Sequence, residues 1–177
     1  RSVLAFAPQT VAEIGIGNAL TTNYLKSNEV NVTTIDIDPE LHPDVCASVT
    51  ALTVADLSFD VVLAAEILEH IPFHEVPKAL SEIFRVCKMG AVITVPDSRR
   101  TLAHFGAFFP KLGFKELFLK IDTQRPHQFD GQHYWELGKK GYSVSTLKKL
   151  FVEAGFTVKK DFVPSDVPTK HFFILQK

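Results

Sequence analysis

The sequence predicts an α/β domain built on a parallel sheet, and three apolar stretches carry that prediction. Residues 9–14 and 31–37 are β-branched runs, and a helical segment that reaches about Ser27 separates them. Residues 59–65 are almost continuously apolar, which is typical of a central parallel strand covered on both faces. Strands and helices that alternate in this way favour a parallel sheet with right-handed crossovers.

The other elements follow from hydrophobic periodicity. They are a weak third strand at 44–50, a helix at 72–86, a fifth strand at 90–95, a helix at 143–154 and closing strands at 156–163 and 171–176. The alternation breaks at residues 98–141, a long aromatic segment that we expect to be a lid, a helical insertion that buries its own aromatic side chains, or both. We expect the whole chain, 1–177, to form one domain that contains this insertion.

The composition is that of an ordinary globular protein, with 46% hydrophobic and 22% charged residues among 177. A net charge of −1 and the lack of a long basic run argue against a nucleic-acid partner. No apolar run approaches the roughly 20 residues of a membrane span and no signal peptide is visible, so we expect a cytoplasmic protein without a membrane partner. Cys46 and Cys87 have no metal-binding spacing and are expected to be buried free thiols.

The turn after the first strand, Gly15-Ile-Gly17, is the strongest functional signal. Glycine permits positive φ and a close approach of the backbone to a ligand. Asn18 can cap the following helix, whose first amides then face the same crevice. Such a strand–turn–helix unit usually binds the nucleoside part of a cofactor, although an ordinary pair of loop glycines is the alternative.

Two carboxylates indicate which cofactor fits. Glu13 stands just before the first glycine, where its charge would repel a pyrophosphate but suit the ammonium and sulfonium groups of S-adenosylmethionine (SAM). Asp36 ends the second strand about twenty residues beyond the turn, where a carboxylate accepts hydrogen bonds from both ribose hydroxyls. The G-x-G-x-x-G fingerprint of dinucleotide sites is incomplete, since the run reads Gly15-x-Gly17-x-Ala19. SAM is therefore favoured over a nicotinamide or flavin dinucleotide.

Four stretches of the chain have the order and spacing of a known set of motifs: residues 11–19, 34–40, 59–71 and 90–96. They resemble the successive motifs of class I SAM-dependent methyltransferases, and residues 141–156 are similar to the segment before the final hairpin in the family's small-molecule branch. The resemblance covers nearly the whole chain from Gln9. It implies a Rossmann-like three-layer α/β/α sandwich with a seven-stranded, mostly parallel sheet whose last strand is antiparallel.

The resemblance also implies cofactor-binding residues. From the methionine part of SAM through the ribose and adenine to the methyl donor, they are Glu13, Gly15, Gly17, Asp36, Ile37, Ala51, Leu52 and Glu66. Ala51 stands where an acidic residue commonly accepts a hydrogen bond from the adenine amino group, and a lost bond of this kind costs about 1 kcal/mol.

Methyl transfer needs alignment of donor and acceptor and, for a hydroxyl or amine acceptor, a group that removes a proton. The run His133-Tyr-Trp-Glu136 and nearby His127 supply the candidate catalytic residues, and His104 is a further candidate base. Alternatively, the two aromatic residues anchor the 98–141 segment while His133 and Glu136 bond to the backbone.

Glu66, Glu69 and His70 are spaced to share one face of a helical turn. With a histidine of the 98–141 segment they are a possible divalent metal site, but such a set on a short turn is common by chance. We expect no metal here, and a role in orienting the loop after the fourth strand.

The sequence thus favours a SAM-dependent methyltransferase that acts on an O or N atom of a small molecule. A catalytically degenerate module of the same fold is the first alternative, because Ala19 and Ala51 depart from the family pattern. A nucleotide-dependent oxidoreductase and an RNA methyltransferase are less favoured. The acceptor and the oligomeric state cannot be read from the sequence.

Overall fold

The computed structural model describes residues 1–111 and 113–177, with Lys115 described by its backbone alone. Leu112, inside the predicted 98–141 insertion, lies outside the described residues. The strands are β1 (Thr10–Ile14), β2 (Asn31–Asp36), β3 (Val45–Cys46), β4 (Phe59–Ala65), β5 (Cys87–Pro96), β6 (Arg100–Phe109), β7 (Gly113–Ile121), β8 (Thr157–Phe162) and β9 (Lys170–Gln176). The α-helices are α1 (Leu20–Ser27), α2 (Val76–Val86) and α3 (Val144–Glu153).

Seven of these strands form one sheet in the order β3-β2-β1-β4-β5-β9-β8. The pairs from β3 to β5 are parallel, whereas β9 runs antiparallel to both β5 and β8. In the centre, Val11 of β1 lies opposite Val32 on one side and Val61 on the other. The predicted seven-stranded sheet with an antiparallel last strand is confirmed.

Two hydrophobic cores cover the two faces of the sheet. The larger contains the apolar stripes of α2 and α3 together with Trp135, and the smaller contains Leu25 of α1 packed near Val11 and Val61. Side chains alternate along a strand, so β1 sends Ala12 and Ile14 to the first core and Val11 to the second. The result is the predicted three-layer sandwich, in which the carboxyl ends of the parallel strands meet at one edge.

Several element boundaries differ from the sequence prediction. Helix α1 begins at Leu20, and its N-cap is Ala19 in the left-handed region (φ 58°) instead of Asn18. The Asn18 side chain still contributes, because its Oδ1 accepts a hydrogen bond from Leu20 N at 3.2 Å. Strand β3 has two residues where seven were predicted, and helix α2 starts at Val76 because residues 73–75 form a 3-10 turn.

The 98–141 segment is not a helical insertion. Strands β6 and β7 pair into a separate antiparallel hairpin, and no α-helix occurs among the described residues of this segment. Large apolar side chains of the hairpin are exposed, for example Phe105 and Leu117. Further along, the chain returns to the larger core at the fully buried Trp135.

The structure also describes the two cysteines and the apolar character of the helices. Cys46 and Cys87 are free cysteines, as predicted, but only Cys87 is buried; Cys46 is exposed at the end of the short strand β3. In the part of the chain that the structure describes, no helix has the length and apolar character needed to cross a membrane.

Candidate functional site

A cavity of about 370 Å³ opens at the carboxyl edge of the sheet, beside the ends of β1 and β2. We call it the edge cavity. Its lining residues are Ile14, Gly15, Asp36, Ile37, Ala47, Ser48, Val49, Ile67, His70 and Ile71. Open α/β sheets bind their ligands in a crevice outside the carboxyl ends of the strands, and the edge cavity lies at such a crevice.

Gly15 is the first residue of the turn after β1. Its φ is +81°, and a Cβ added there would lie 2.0 Å from Cδ1 of Ile67. Its amide donates a hydrogen bond to the carbonyl of Ile35 at 2.8 Å. A side chain at this position would therefore be strained by its backbone angle and would push Ile67 out of its place. Gly17 also has positive φ (+53°) but is not among the lining residues.

Asp36 ties the glycine turn to the end of β2. Its Oδ2 accepts a hydrogen bond from Ile16 N at 2.9 Å, and its Oδ1 accepts one from Asp38 N at 3.0 Å. The next residue, Ile37, is 70% exposed at the rim of the cavity. A carboxylate and an apolar side chain thus stand side by side at the mouth.

Glu13 lies beneath the turn and faces α1. It is buried, and its carboxylate accepts a hydrogen bond from the Thr22 hydroxyl. Burial raises the pKa of Glu13, although the Thr22 bond and the charge of Lys26 oppose the shift. The carboxyl that the sequence assigned to the methionine part of SAM is therefore engaged with the protein.

Glu66 follows β4 and also has a protein partner. It has positive φ (57°), accepts a hydrogen bond from Thr94 Oγ1 at 2.8 Å and lies 3.4 Å from Nζ of Lys170.

Ala51 and Leu52 lie outside the lining of the edge cavity. Leu52 is buried, and its amide donates a hydrogen bond to Glu82 Oε2 at 2.8 Å. Ala47, Ser48 and Val49 line the cavity in their place. The cause is the short β3: its pairing with β2 ends at Cys46, so the following loop reaches the cavity several residues earlier than predicted.

A second group of polar residues adjoins this cavity, and we call it the histidine cluster: Glu69, His70, His127, His133 and Glu136. Two backbone-directed bonds bring its parts together. Nε1 of Trp135 donates to the carbonyl of Leu68 at 3.0 Å, and the amide of Tyr134 donates to the carbonyl of Glu69 at 2.8 Å. The anchoring role predicted for the two aromatic residues fits Trp135, which is fully buried, but not Tyr134, which is 44% exposed. His70 belongs to both the cluster and the cavity lining.

The imidazoles of the cluster are oriented by oxygen acceptors. His70 Nδ1 lies 3.2 Å from the carbonyl oxygen of Gln132, and His133 Nδ1 lies 3.3 Å from Glu136 Oε1. The two rings stand edge to face with centroids 5.0 Å apart. His127 Nε2 lies 2.9 Å from the carbonyl oxygen of His133. All three predicted catalytic residues are thus brought together.

The two carboxyl groups of the cluster differ in their surroundings. Glu69 is fully buried, and among the described residues neither of its carboxylate oxygens has a hydrogen-bond partner. Burial raises the pKa of Glu69 to about 8, and the nearby charge of Glu66 adds to the shift. Burial acts in the same direction on Glu136, but hydrogen bonds from Ser98 and His133 outweigh it and lower the pKa.

His104 lies elsewhere, on the hairpin. Its Nε2 is 3.0 Å from Glu116 Oε1 and its ring stacks on Phe118 with centroids 4.0 Å apart. This candidate base is therefore not part of the cluster.

The sequence of residues 12–95 matches the family described as methyltransferase domains. The match runs from β1 to the end of β5 and contains the glycine turn, Asp36 and Glu66. The match covers slightly less than half of the chain and identifies this part as a methyltransferase domain.

Several solved structures have the same fold as this chain. A SAM-dependent methyltransferase from Mesorhizobium loti is 13% identical with a TM-score of 0.65, over 95% of this chain and 90% of that chain. A SAM-dependent methyltransferase from Methanosarcina mazei is 19% identical with a TM-score of 0.61, over 95% of this chain and 92% of that one.

A third structure was determined with ligands. It is the 1,6-didemethyltoxoflavin-N1-methyltransferase from Burkholderia thailandensis, with bound 1,6-didemethyltoxoflavin and S-adenosylhomocysteine. Its identity is 17% and its TM-score 0.63, over 99% of this chain and 76% of that chain. No curated protein sequence matches this chain. At these identities the structural likenesses establish its fold alone.

Proposed function

We propose that this chain is a SAM-dependent methyltransferase, which transfers the methyl group of SAM to an O or N atom of a small molecule. The observation that carries the proposal is the contact of two chemically distinct parts at one edge of the sheet. A cavity suited to a nucleoside ends at His70, and His70 packs against the His133–Glu136 pair. Methyl transfer to a hydroxyl or amine needs both parts, a cofactor site and a group that handles a proton.

In this proposal SAM occupies the edge cavity. Asp36 accepts hydrogen bonds from the ribose hydroxyls, while the exposed side chain of Ile37 packs on one face of the adenine. Gly15 allows the methionine part to approach the backbone closely. Ser48 and Val49, which line the cavity, replace Ala51 and Leu52 at the adenine edge.

The histidine cluster handles the acceptor's proton. Glu136 accepts a hydrogen bond from Nδ1 of His133, so the lone pair of that ring is on Nε2. The acceptor atom forms a bond to the methyl carbon, the carbon–sulfur bond breaks with its electron pair going to sulfur, and S-adenosylhomocysteine leaves. The acceptor's proton passes to the imidazole of His133 or of His127, since histidine is the side chain that most often acts as a general base.

A small acceptor is favoured over a nucleic acid by two facts. The net charge is −1 and the sequence has no long basic run, whereas a nucleic-acid partner needs phosphate-neutralising lysine and arginine. One structural neighbour, the 1,6-didemethyltoxoflavin-N1-methyltransferase from Burkholderia thailandensis, has the small molecule 1,6-didemethyltoxoflavin bound.

The test is a transfer assay with methyl-labelled SAM and panels of small phenols, amines and carboxylates, with total RNA and protein extract as competing acceptors. We expect label on a small molecule, a fall of at least tenfold in His133→Ala, and little change in His74→Ala, which alters an exposed histidine. Label found only on RNA or protein would contradict the proposal. SAM binding with no transfer to any acceptor would favour the degenerate module.

A further inference from the structure

We propose that the histidine cluster binds one divalent first-row transition-metal cation through Glu69, His70 and His133. One ligand atom from each residue lies within 4.8 Å of the other two. In the sequence, Glu66 was the third candidate ligand beside Glu69 and His70. In the structure the carboxylate of Glu66 interacts with Thr94 and Lys170 instead, and His133 takes the third position. This proposal departs from the expectation that the chain holds no metal.

The buried carboxylate of Glu69 is the first independent observation. Glu69 is fully buried, and neither carboxylate oxygen has a partner among the residues that the structure describes. A buried carboxyl group without a partner is either protonated or bound to a cation, because an isolated buried charge costs several kcal/mol. Because none of the described side chains donates a hydrogen bond to these oxygens, a bound cation would provide the partner that keeps Glu69 ionised.

The orientation of the two imidazoles is the second observation. Nδ1 of His70 faces a backbone carbonyl and Nδ1 of His133 faces a carboxylate, so in both rings the hydrogen is on Nδ1 and the lone pair is on Nε2. Metal-binding histidines in proteins commonly donate their other N–H to such acceptors. Gln132 and Glu136 therefore hold the rings in the tautomer that a metal requires.

The donor set indicates the kind of cation. Two imidazole nitrogens and one carboxylate oxygen suit Zn²⁺, Co²⁺, Mn²⁺ or Fe²⁺, whereas Mg²⁺ prefers oxygen ligands and keeps its water. Bonds of about 2.1 Å separate neighbouring ligand atoms by about 3 to 4 Å, so small rotations of the side chains would bring the three donors into range.

For the reaction, this inference rests on the proposed function. A cation beside the edge cavity would lower the pKa of an acceptor hydroxyl, whose proton then passes to water. His133 would then act by holding the cation and not by receiving the proton itself. The binding site is independent of that consequence and can be tested without an acceptor.

The experiment is a titration of chelator-treated full-length protein with Co²⁺, followed by visible absorption and by calorimetry, with Mg²⁺ for comparison. We expect one equivalent of Co²⁺ to bind with absorption bands typical of mixed nitrogen and oxygen ligands, and no comparable binding of Mg²⁺. Glu69→Gln and His133→Ala should each weaken Co²⁺ binding at least tenfold. His74→Ala is the matched control, since exposed His74 lies 3.9 Å from Glu75.

SAM titration of the same metal-free variants separates loss of the cation from loss of the fold. SAM binding retained in His133→Ala together with lost Co²⁺ binding supports the proposal. Absence of stoichiometric Co²⁺ binding in the wild-type protein would overturn it, and so would binding that persists in both variants. Failure of SAM to bind any of these proteins would instead count against the proposed function.

Discussion

Single carboxylates hold neighbouring strands together, and Asp60 of β4 gives a testable case. Its Oδ2 accepts hydrogen bonds from the amides of Gln9 and Thr10 at 2.9 Å, and Lys88 Nζ lies 3.1 Å from its Oδ1. The Thr10 amide bond makes the largest contribution to a pKa of about 2, below the ordinary 3.8. The ionised group therefore stabilises the folded state.

We predict that this stabilisation, about 2 kcal/mol, is present above pH 4 and is lost as the pH falls towards 2. The direction follows because the unfolded chain takes up the proton at the higher pH. The free energy of unfolding measured in urea should differ between wild type and Asp60→Asn at pH 7, and this difference should shrink below pH 4. Asp166→Asn, at an exposed carboxylate, is the control. A difference that stays constant down to pH 2.5 would contradict the pKa assignment.

Individual site residues could be predicted where a sequence motif marks the end of a strand. They could not be predicted where the end of a strand depends on its pairing register with a neighbouring strand. Gly15, Asp36 and Ile37 were predicted as cofactor-binding residues, and all three line the edge cavity, because each directly follows or ends a recognisable apolar strand. Ser48 and Val49 were missed because β3 has only two residues and its end is set by pairing with β2. That pairing leaves no trace in the local sequence.

At the scale of elements, the hairpin β6–β7 is held to the sandwich by a buried charge network. The side chain of Lys120 is 3% exposed, and its Nζ lies 2.9 Å from Asp97 Oδ2 and donates to the carbonyl of Pro168 at 2.6 Å. Arg99 is 2.8 Å from the same Asp97 oxygen. Burial alone would raise the pKa of Asp97, but bonds from His171, Arg99 and Lys120 hold it well below its usual range.

We predict that Lys120→Met loosens the hairpin without unfolding the sandwich, because Asp97 keeps Arg99 as a partner. The loss of a hydrogen-bonded charge should cost about 2 kcal/mol. Limited proteolysis should then cut within residues 98–121 faster than in the wild type. Lys149→Met removes an exposed pair with Glu153 and should leave the cleavage rate unchanged. Equal cleavage of all three proteins would contradict the anchoring role.

The elements that could be predicted from sequence are those whose burial produces a regular apolar pattern. β4 and β5 read as strands because both faces are covered, and α2 shows a continuous apolar stripe. The hairpin was missed because apolar side chains such as Phe105 and Phe108 are exposed, so burial imposes no alternation on its sequence.

At the scale of the whole molecule, the parallel sheet brings to one edge residues that are far apart in sequence. Gly15 and Asp36 come from the first two strands, His70 follows the fourth, and His133 arrives from the insertion after the fifth. The sequence predicted the sheet and hence the cofactor edge. It could not predict that His133 packs against His70, because that contact depends on the path of an irregular segment.

The central claim is that the edge cavity binds SAM, and calorimetric titration with SAM, S-adenosylhomocysteine and NAD tests it most directly. We predict micromolar binding of the first two and none of NAD, with affinity at least tenfold weaker in Asp36→Ala. Asp38→Ala is the matched control two residues away, since its carboxylate caps a 3-10 turn outside the cavity lining. A folded wild-type protein that binds neither SAM nor its product, or binds NAD alone, would contradict the account.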